Sequence, residues 1–244
     1  MNIKCVEGIV LSEVNYSESS KILSVLTKDY GLISIIAKGC RNLKSKLRGV
    51  SSKFTYGNFH IYYKEKGIST LTEVDVINSF SKIMNNIDKI AYASYILDLI
   101  HQVAKDSSDE ELYNLLINGL NKINDNYDEK VISLIIELKL LDFLGIMPII
   151  DKCCVCNSTK NIITISGDSG GYLCKNCQKS EKIYSEKLVK LLRMLVLVEL
   201  DKITKLDISS EVVTELTEFV DDYYSRYAGL NLKSKSFLQD LRKY

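Results

Sequence analysis

Two pairs of cysteines with the same internal spacing constrain this fold more than any other feature of the chain. Cys153 and Cys156 form one Cys-x-x-Cys pair, Cys174 and Cys177 form the other, and 17 residues separate the pairs. This spacing is typical of two tight turns that each present two thiolates to one tetrahedral metal ion. We therefore predict one structural Zn²⁺ held by these four side chains.

Two other interpretations of the cysteines stay open. Reduced, buried cysteines would need no metal, whereas a redox pair would need a Cys-x-x-Cys beside a β-α-β pattern, which this sequence does not indicate. Only one residue separates Cys154 from Cys156, so we expect Cys154 to stay outside the site. A closed four-thiolate site has no coordination position for a reactive water, so we expect it to stabilise the fold only.

The composition is ordinary for a soluble globular protein, with 46% hydrophobic and 26% charged residues in a chain of 244. No apolar run reaches the roughly 18 residues that a membrane helix needs. The first residues lack the pattern of a secretory signal. We therefore expect a cytoplasmic protein, in which the cysteines stay reduced.

Residues 1–80 show the alternation and turn signals of about five β-strands. Two hairpins are predicted, one turning at 27–31 and the other at 65–67. Gly57 interrupts the alternation of its strand, which indicates a bulge that resets the register. Five strands in so short a segment favour a closed oligonucleotide-binding (OB) barrel, although a fragment of a sandwich would suit the strand count nearly as well.

The hydrophobic period becomes helical after about Ser81. Helical patterns occupy residues 81–150 and 183–244, and the cysteine-rich segment, 151–182, interrupts them. We therefore predict an α+β multidomain protein: an OB-fold nucleic-acid-binding domain at 1–80, then a helical domain with an inserted zinc-binding segment.

A cluster of basic residues between the third and fourth predicted strands is the best candidate for a binding surface. No acidic residue occurs within residues 38–53. The predicted phosphate-binding side chains are Lys38, Arg41, Lys44, Lys46, Arg48 and Lys53. A solvated loop that only keeps the protein soluble is the alternative. Bases could stack on aromatic side chains of the next strand, for which the candidates are Tyr56, Phe59, Tyr62 and Tyr63.

The net charge of +1 argues against a protein that coats nucleic acid over its whole surface.

Signals of catalysis are weak throughout the sequence. No phosphate-binding GxxxxGK[ST] motif occurs, and the two histidines, His60 and His101, lie far apart. We predict no catalytic residue and expect that the protein is not an enzyme.

Several short segments, in this order, resemble the RecO family of bacterial DNA repair proteins. They are "EGIVL" at 7–11, "NYSE" at 15–18, "LTKDYG" at 26–31, "AKGCR" at 37–41, "YG" at 56–57, "ELKLLDFLGIMP" at 137–148, "GGYLC" with both cysteine pairs, and "GLNLKSKSFL" at 229–238. The family often has alanine at the position of Cys40, and some members lack the zinc ligands, which are all present here.

The resemblance implies a mediator of recombinational repair. Such proteins bind single- and double-stranded DNA, anneal complementary strands, contact the C-terminal tail of single-stranded DNA-binding protein (SSB), and pair with RecR. Together they load RecA, with RecF as a further partner, and act near the nucleoid in the bacterial cytoplasm. The resemblance does not place the SSB-tail site, for which Lys187, Lys190 and Arg193 are the candidates.

Two other functions stay open on the sequence alone. A zinc-knuckle protein that binds RNA or the ribosome would share the cysteine pairs and the basic loop. A barrel that binds another protein would also suit the strand pattern. Comparing the affinities for DNA and RNA separates the first from a repair protein, and binding of an oligonucleotide at low salt separates the second.

Overall fold

The computed structural model describes residues 3–105 and 109–230, together with residues 234 and 238. The chain packs into two compact units, one within Met1–Asp125 and the other within Asn126–Asn231. The predicted domain boundaries, after residues 80, 150 and 182, were drawn where the type of secondary structure changes, whereas the two units are defined by packing. The boundaries therefore stay a prediction. None of the helices in residues 3–105 and 109–230 contains the 18-residue apolar stretch that a membrane span requires.

Five strands of the first unit close into a barrel of order β1-β2-β3-β5-β4. They are β1 (Ile3–Tyr16), β2 (Ser20–Thr27), β3 (Gly31–Ala37), β4 (Tyr56–Tyr62) and β5 (Ser69–Asn78). The first half of β1 pairs with β4 and its second half with β2, which closes the sheet. Only β3 and β5 run parallel. This order is that of the OB fold, so the predicted barrel is confirmed and the sandwich fragment is excluded.

The barrel core is apolar, and one glycine allows its strands to approach closely. Val10 and Phe59 are fully buried within it. The predicted reset at Gly57 is confirmed, because the pairing of β4 with β5 shifts between Tyr56 and Gly57. A Cβ atom at Gly57 would collide with the backbone carbonyl oxygen of Asp75 on β5, so this contact requires glycine.

Helices follow the barrel in the first unit, and side-chain caps fix where two of them begin. The described helices there are α1 (Ser81–Met84), α2 (Ile87–Val103) and α3 (Glu110–Asn124). The Asn86 side chain accepts a hydrogen bond from the Lys89 backbone N–H at 3.0 Å. The Asp109 carboxylate accepts one from the Glu111 N–H at 2.8 Å. Both caps satisfy donors that have no partner within the helix.

The second unit combines helices with a small hairpin. Its elements are α4 (Glu129–Phe143), β6 (Ile162–Ser166), β7 (Gly171–Cys174), α5 (Glu186–Leu197), a 3₁₀ turn (Leu200–Lys202) and α6 (Ser210–Tyr227). Helix α4 is buried on nearly all sides, as its apolar sequence predicts. It ends before Gly145, which has a left-handed φ of 68°. Strands β6 and β7 pair as an antiparallel hairpin that connects the two cysteine pairs.

Candidate metal centre and nucleic-acid interface

The four predicted ligands converge beside the β6–β7 hairpin. All four sulfur atoms, of Cys153, Cys156, Cys174 and Cys177, lie within 4.8 Å of one another. The Sγ atoms of Cys156 and Cys174 are 3.6 Å apart. A tetrahedral site with metal–sulfur bonds of about 2.3 Å places its sulfurs about 3.8 Å apart. The group can therefore hold a metal ion.

Backbone hydrogen bonds fold each cysteine pair into a tight turn. The Asn157 N–H donates to the Cys153 carbonyl oxygen at 2.9 Å, and the Cys177 N–H donates to that of Cys174 at 3.0 Å. Asn157 adopts a left-handed φ of 60°, which asparagine tolerates better than most residues. The turns aim both thiols of each pair at one point, which is why two intervening residues suit the site.

The electrostatic surroundings favour ionisation of one thiol and oppose that of another. Burial disfavours the Cys153 thiolate, but backbone N–H groups, including that of Cys156, outweigh burial and lower its pKa to about 6. A hydrogen bond with Cys156, together with burial, raises the pKa of Cys177 to about 12. Because metal-binding cysteines must lose their protons, a bound cation would replace the protons that these sulfurs share.

Cys154 lies beside this group without joining it. Its backbone N–H donates to the Tyr172 carbonyl oxygen at 2.8 Å, which ties this part of the chain to β7. Burial raises the pKa of the Cys154 thiol. Its sulfur is outside the four mutually close sulfurs, which agrees with the expectation that it takes no part in metal binding.

Five of the six predicted phosphate-binding side chains stand exposed on the segment between β3 and β4, residues 38–55, which we term the basic loop. They are Lys38, Arg41, Lys44, Lys46 and Arg48. Across residues 3–105 and 109–230, none of the five forms an ion pair with a carboxylate. Their positive charge is therefore available to an external anion.

Lys53, the sixth, differs from the others. Its Nζ lies 2.8 Å from a carboxylate oxygen of Asp98 on α2. Its backbone N–H donates to the Glu13 carboxylate at 2.8 Å. The structure thus separates Lys53 from the five exposed cations and gives it partners that hold the end of the basic loop against the first unit.

Strand pairing brings two loops to one end of the barrel. Lys21 on β2 lies opposite Ala37 on β3, so the β1–β2 turn and the basic loop open at the same end. The β4–β5 turn precedes β5, which runs parallel to β3, and therefore extends in the opposite direction. OB folds use their β1–β2 and β4–β5 loops to bind oligonucleotides, so the basic loop adjoins the usual binding surface of this fold.

The aromatic side chains of β4 are less available than the sequence suggested. Tyr56 is only 8% exposed and Phe59 is fully buried, so the suggestion that these two stack on bases is wrong. The ring of Tyr63 is half-buried against that of Tyr30, with centroids 4.9 Å apart. Tyr62 is the most exposed of the four candidates.

Sequence reasoning missed two exposed cations of the barrel. Lys64 and Lys66 are exposed on the β4–β5 turn. The turn itself was predicted, and both lysines are visible in it. OB folds use this turn to bind oligonucleotides, so both lysines belong to a loop that can contact a strand.

Comparisons with known proteins agree with this architecture. Residues 1–80 match the family model described as "Recombination protein O N terminal", and residues 84–236 match "Recombination protein O C terminal". DNA repair protein RecO of Listeria monocytogenes serotype 4b (strain CLIP80459) is 35% identical over 245 residues, covering 99% of this chain and 95% of the relative. The protein of the same name from Halalkalibacterium halodurans is 35% identical, covering 96% of this chain and 94% of the relative. The chain therefore belongs to the RecO family of DNA repair and recombination proteins.

Proposed function

We propose that the chain is a recombination mediator that binds single- and double-stranded DNA and anneals complementary strands. With RecR, it helps RecA load onto single strands covered by SSB, and RecF is a further partner. It acts at the bacterial nucleoid in the cytoplasm. Its role is to hold and transfer strands, so we propose that it makes and breaks no covalent bond.

One observation carries the DNA-binding part of this proposal: five exposed cations, which form no ion pair with a carboxylate of the described residues, share one loop of an OB barrel. Cations of this kind contact phosphates and carry little sequence information. Each such contact is weak, so strands can exchange quickly. A mediator must release strands as readily as it binds them.

We propose that the metal held by the four cysteines is zinc. Four thiolates in a tetrahedral arrangement favour zinc, a divalent ion that is not redox-active. When bound, the ion would cross-link the two turns that flank β6 and β7. The short polar segment between α4 and α5 would then depend on the ion for its fold.

The exposed surface of α5 supports a contact with the SSB tail. Arg193 is exposed there beside Met194 and Leu197, which are 64% and 67% exposed. An acidic peptide with apolar residues would match such a surface in both charge and hydrophobicity. Lys190 contributes less, because it already forms an ion pair with Glu186.

Strand annealing with SSB-coated oligonucleotides tests the proposal. The triple variant Lys38→Glu, Arg41→Glu, Lys44→Glu should lose annealing and DNA binding while keeping its metal content and helical signal. The matched control changes three exposed lysines outside the loop, Lys82, Lys160 and Lys205, to glutamate. Equal loss in both variants would show that net charge matters rather than the basic loop.

A side-by-side titration with RNA separates the repair function from the alternative RNA-binding function. We expect the unmodified protein to anneal complementary DNA strands and adding RecR to stimulate RecA loading. Tighter binding to RNA, without annealing of DNA, would contradict the proposal.

A further inference from the structure

The basic loop carries one large apolar side chain that stands in solvent. Leu43 is 81% exposed, more than any other large hydrophobic side chain of the described residues. Cations precede and follow it, at Arg41 and Lys44. Single exposed leucines are common on protein surfaces, so the significance of Leu43 depends on how the loop holds it.

The loop is folded into successive turns and fixed at both sides of Leu43. Before it, Cys40 is buried in the barrel core, and after it, Leu47 packs against the same core. The Asn42 N–H donates to the Gly39 carbonyl oxygen at 3.1 Å, and the Ser45 N–H donates to that of Asn42 at 3.1 Å. Two apolar neighbours thus point into the barrel, while Leu43 is presented outward on a closed turn.

A second set of contacts ties this turn to the β1–β2 turn. The Arg41 N–H donates to the Ser19 carbonyl oxygen at 2.8 Å. The Arg41 guanidinium donates to the Ser17 carbonyl oxygen at 3.3 Å. The leucine is therefore held beside the β1–β2 turn, which OB folds use to bind oligonucleotides, with cations on both sides.

We propose that Leu43 is a wedge that inserts between neighbouring bases of a strand whose phosphates contact the basic loop. This inference rests on the proposed DNA-binding function and adds to it a contact with the bases. Nucleic-acid-binding proteins insert apolar side chains between base steps, where the side chain leaves water and the bases unstack. Unstacking is least costly in a single strand, so the ligand is a single-stranded nucleic acid.

Fluorescence of 2-aminopurine placed within a single-stranded oligonucleotide tests this proposal, because the probe brightens when it unstacks. We expect the unmodified protein to brighten the probe on binding. Leu43→Ala should abolish the brightening and weaken binding by about tenfold, given the apolar area lost. The salt dependence of binding should stay unchanged, since no phosphate contact is lost. Leu43→Met should restore the brightening.

The matched control is Ile87→Ala, which truncates another exposed apolar side chain, 66% exposed at the start of α2. It should leave both brightening and affinity unchanged. If Leu43→Ala binds and brightens the probe like the unmodified protein, with a steep salt dependence in both, the wedge is wrong and the DNA-binding proposal stands. If the unmodified protein fails to bind the oligonucleotide at low salt, both are wrong. Leu43-dependent binding to anionic lipid vesicles but not to the oligonucleotide would also overturn the wedge.

Discussion

The Tyr113 hydroxyl on α3 donates a hydrogen bond to the Glu7 carboxylate on β1 at 2.9 Å. The same carboxylate oxygen accepts a second bond from the Tyr56 hydroxyl at 2.7 Å. Burial, followed by the bond to Glu7, raises the pKa of Tyr56 to about 12. Burial, followed by hydrogen bonds of its hydroxyl group with Tyr56 and Glu7, also raises the pKa of Tyr113 far above its usual value. This small network fastens the barrel to a helix that lies 106 residues later in the chain.

The network predicts a loss of stability in alkali. In the unfolded chain these tyrosines ionise near pH 10, whereas Tyr56 in the folded chain stays neutral to about pH 12. The unfolded state therefore binds fewer protons above pH 10, and the free energy of unfolding falls as the pH rises from 10 to 12. Tyr56→Phe should cost about 1–2 kcal/mol at pH 8, and its difference from the unmodified protein should shrink toward pH 12. Urea unfolding at both pH values measures this.

The exposed Tyr62→Phe variant is the control for that experiment. It should follow the unmodified protein at both pH values. A Tyr56→Phe variant whose loss of stability is the same at pH 8 and near pH 12 would contradict the role given to the hydroxyl.

Removal of single thiols should separate the metal ligands from their neighbour. Cys153→Ser deletes one of the four converging sulfurs, so we expect loss of bound metal and a lower melting temperature. Cys154→Ser should keep its metal, because that sulfur lies outside the group. Metal analysis of the purified proteins, with thermal unfolding before and after chelation, measures both. Equal metal loss from the two variants would refute the assignment.

Lys53 and Arg41 should affect DNA binding differently although both were predicted to contact phosphate. Arg41→Gln should reduce the slope of log K against log salt by about 0.7 for a single strand. Lys53→Gln should leave the slope unchanged and lower stability by about 1 kcal/mol, because it breaks a partly buried ion pair with Asp98. Salt titrations of oligonucleotide binding, with urea unfolding, distinguish the two residues. A smaller slope for Lys53→Gln would restore Lys53 to the binding surface.

The close approach of β5 to Gly57 predicts a sensitive glycine. Gly57→Ala would push a methyl group into the backbone of Asp75, so we expect a loss of about 1–3 kcal/mol. Gly49→Ala is the control, because a Cβ there meets nothing within 4 Å. Urea unfolding measures both variants. A similar, small effect at the two sites would mean that the strands separate readily.

The sequence predicted most of the elements because their signals are local. Alternating apolar residues, the turn at 27–31 and the interruption at Gly57 indicated the barrel strands, and the structure contains them. The metal centre was predictable for the same reason, since the spacing within each cysteine pair is a property of a single turn. The helical pattern predicted for 183–244 likewise contains the helix that begins at Ser210.

What the sequence could not supply depends on contacts between distant residues. Lys53 looked like part of a continuous basic run, but its partner Asp98 lies 45 residues away on a helix. Phe59 faces the barrel core, whereas Tyr56 is buried against Glu7 and Phe80, and only the folded chain shows that neither ring is available. The β4–β5 lysines gained significance only when the closed barrel showed that their turn is one that OB folds use to bind oligonucleotides.

Every strand of the barrel lies within the first 78 residues of the chain. Its pairing can therefore be complete while the ribosome is still translating the later part of the message, before Cys153 has been added. We expect the nascent barrel to fold independently of the supply of metal in the cell. Metal starvation should then spare this first folding step and expose the later residues to proteases.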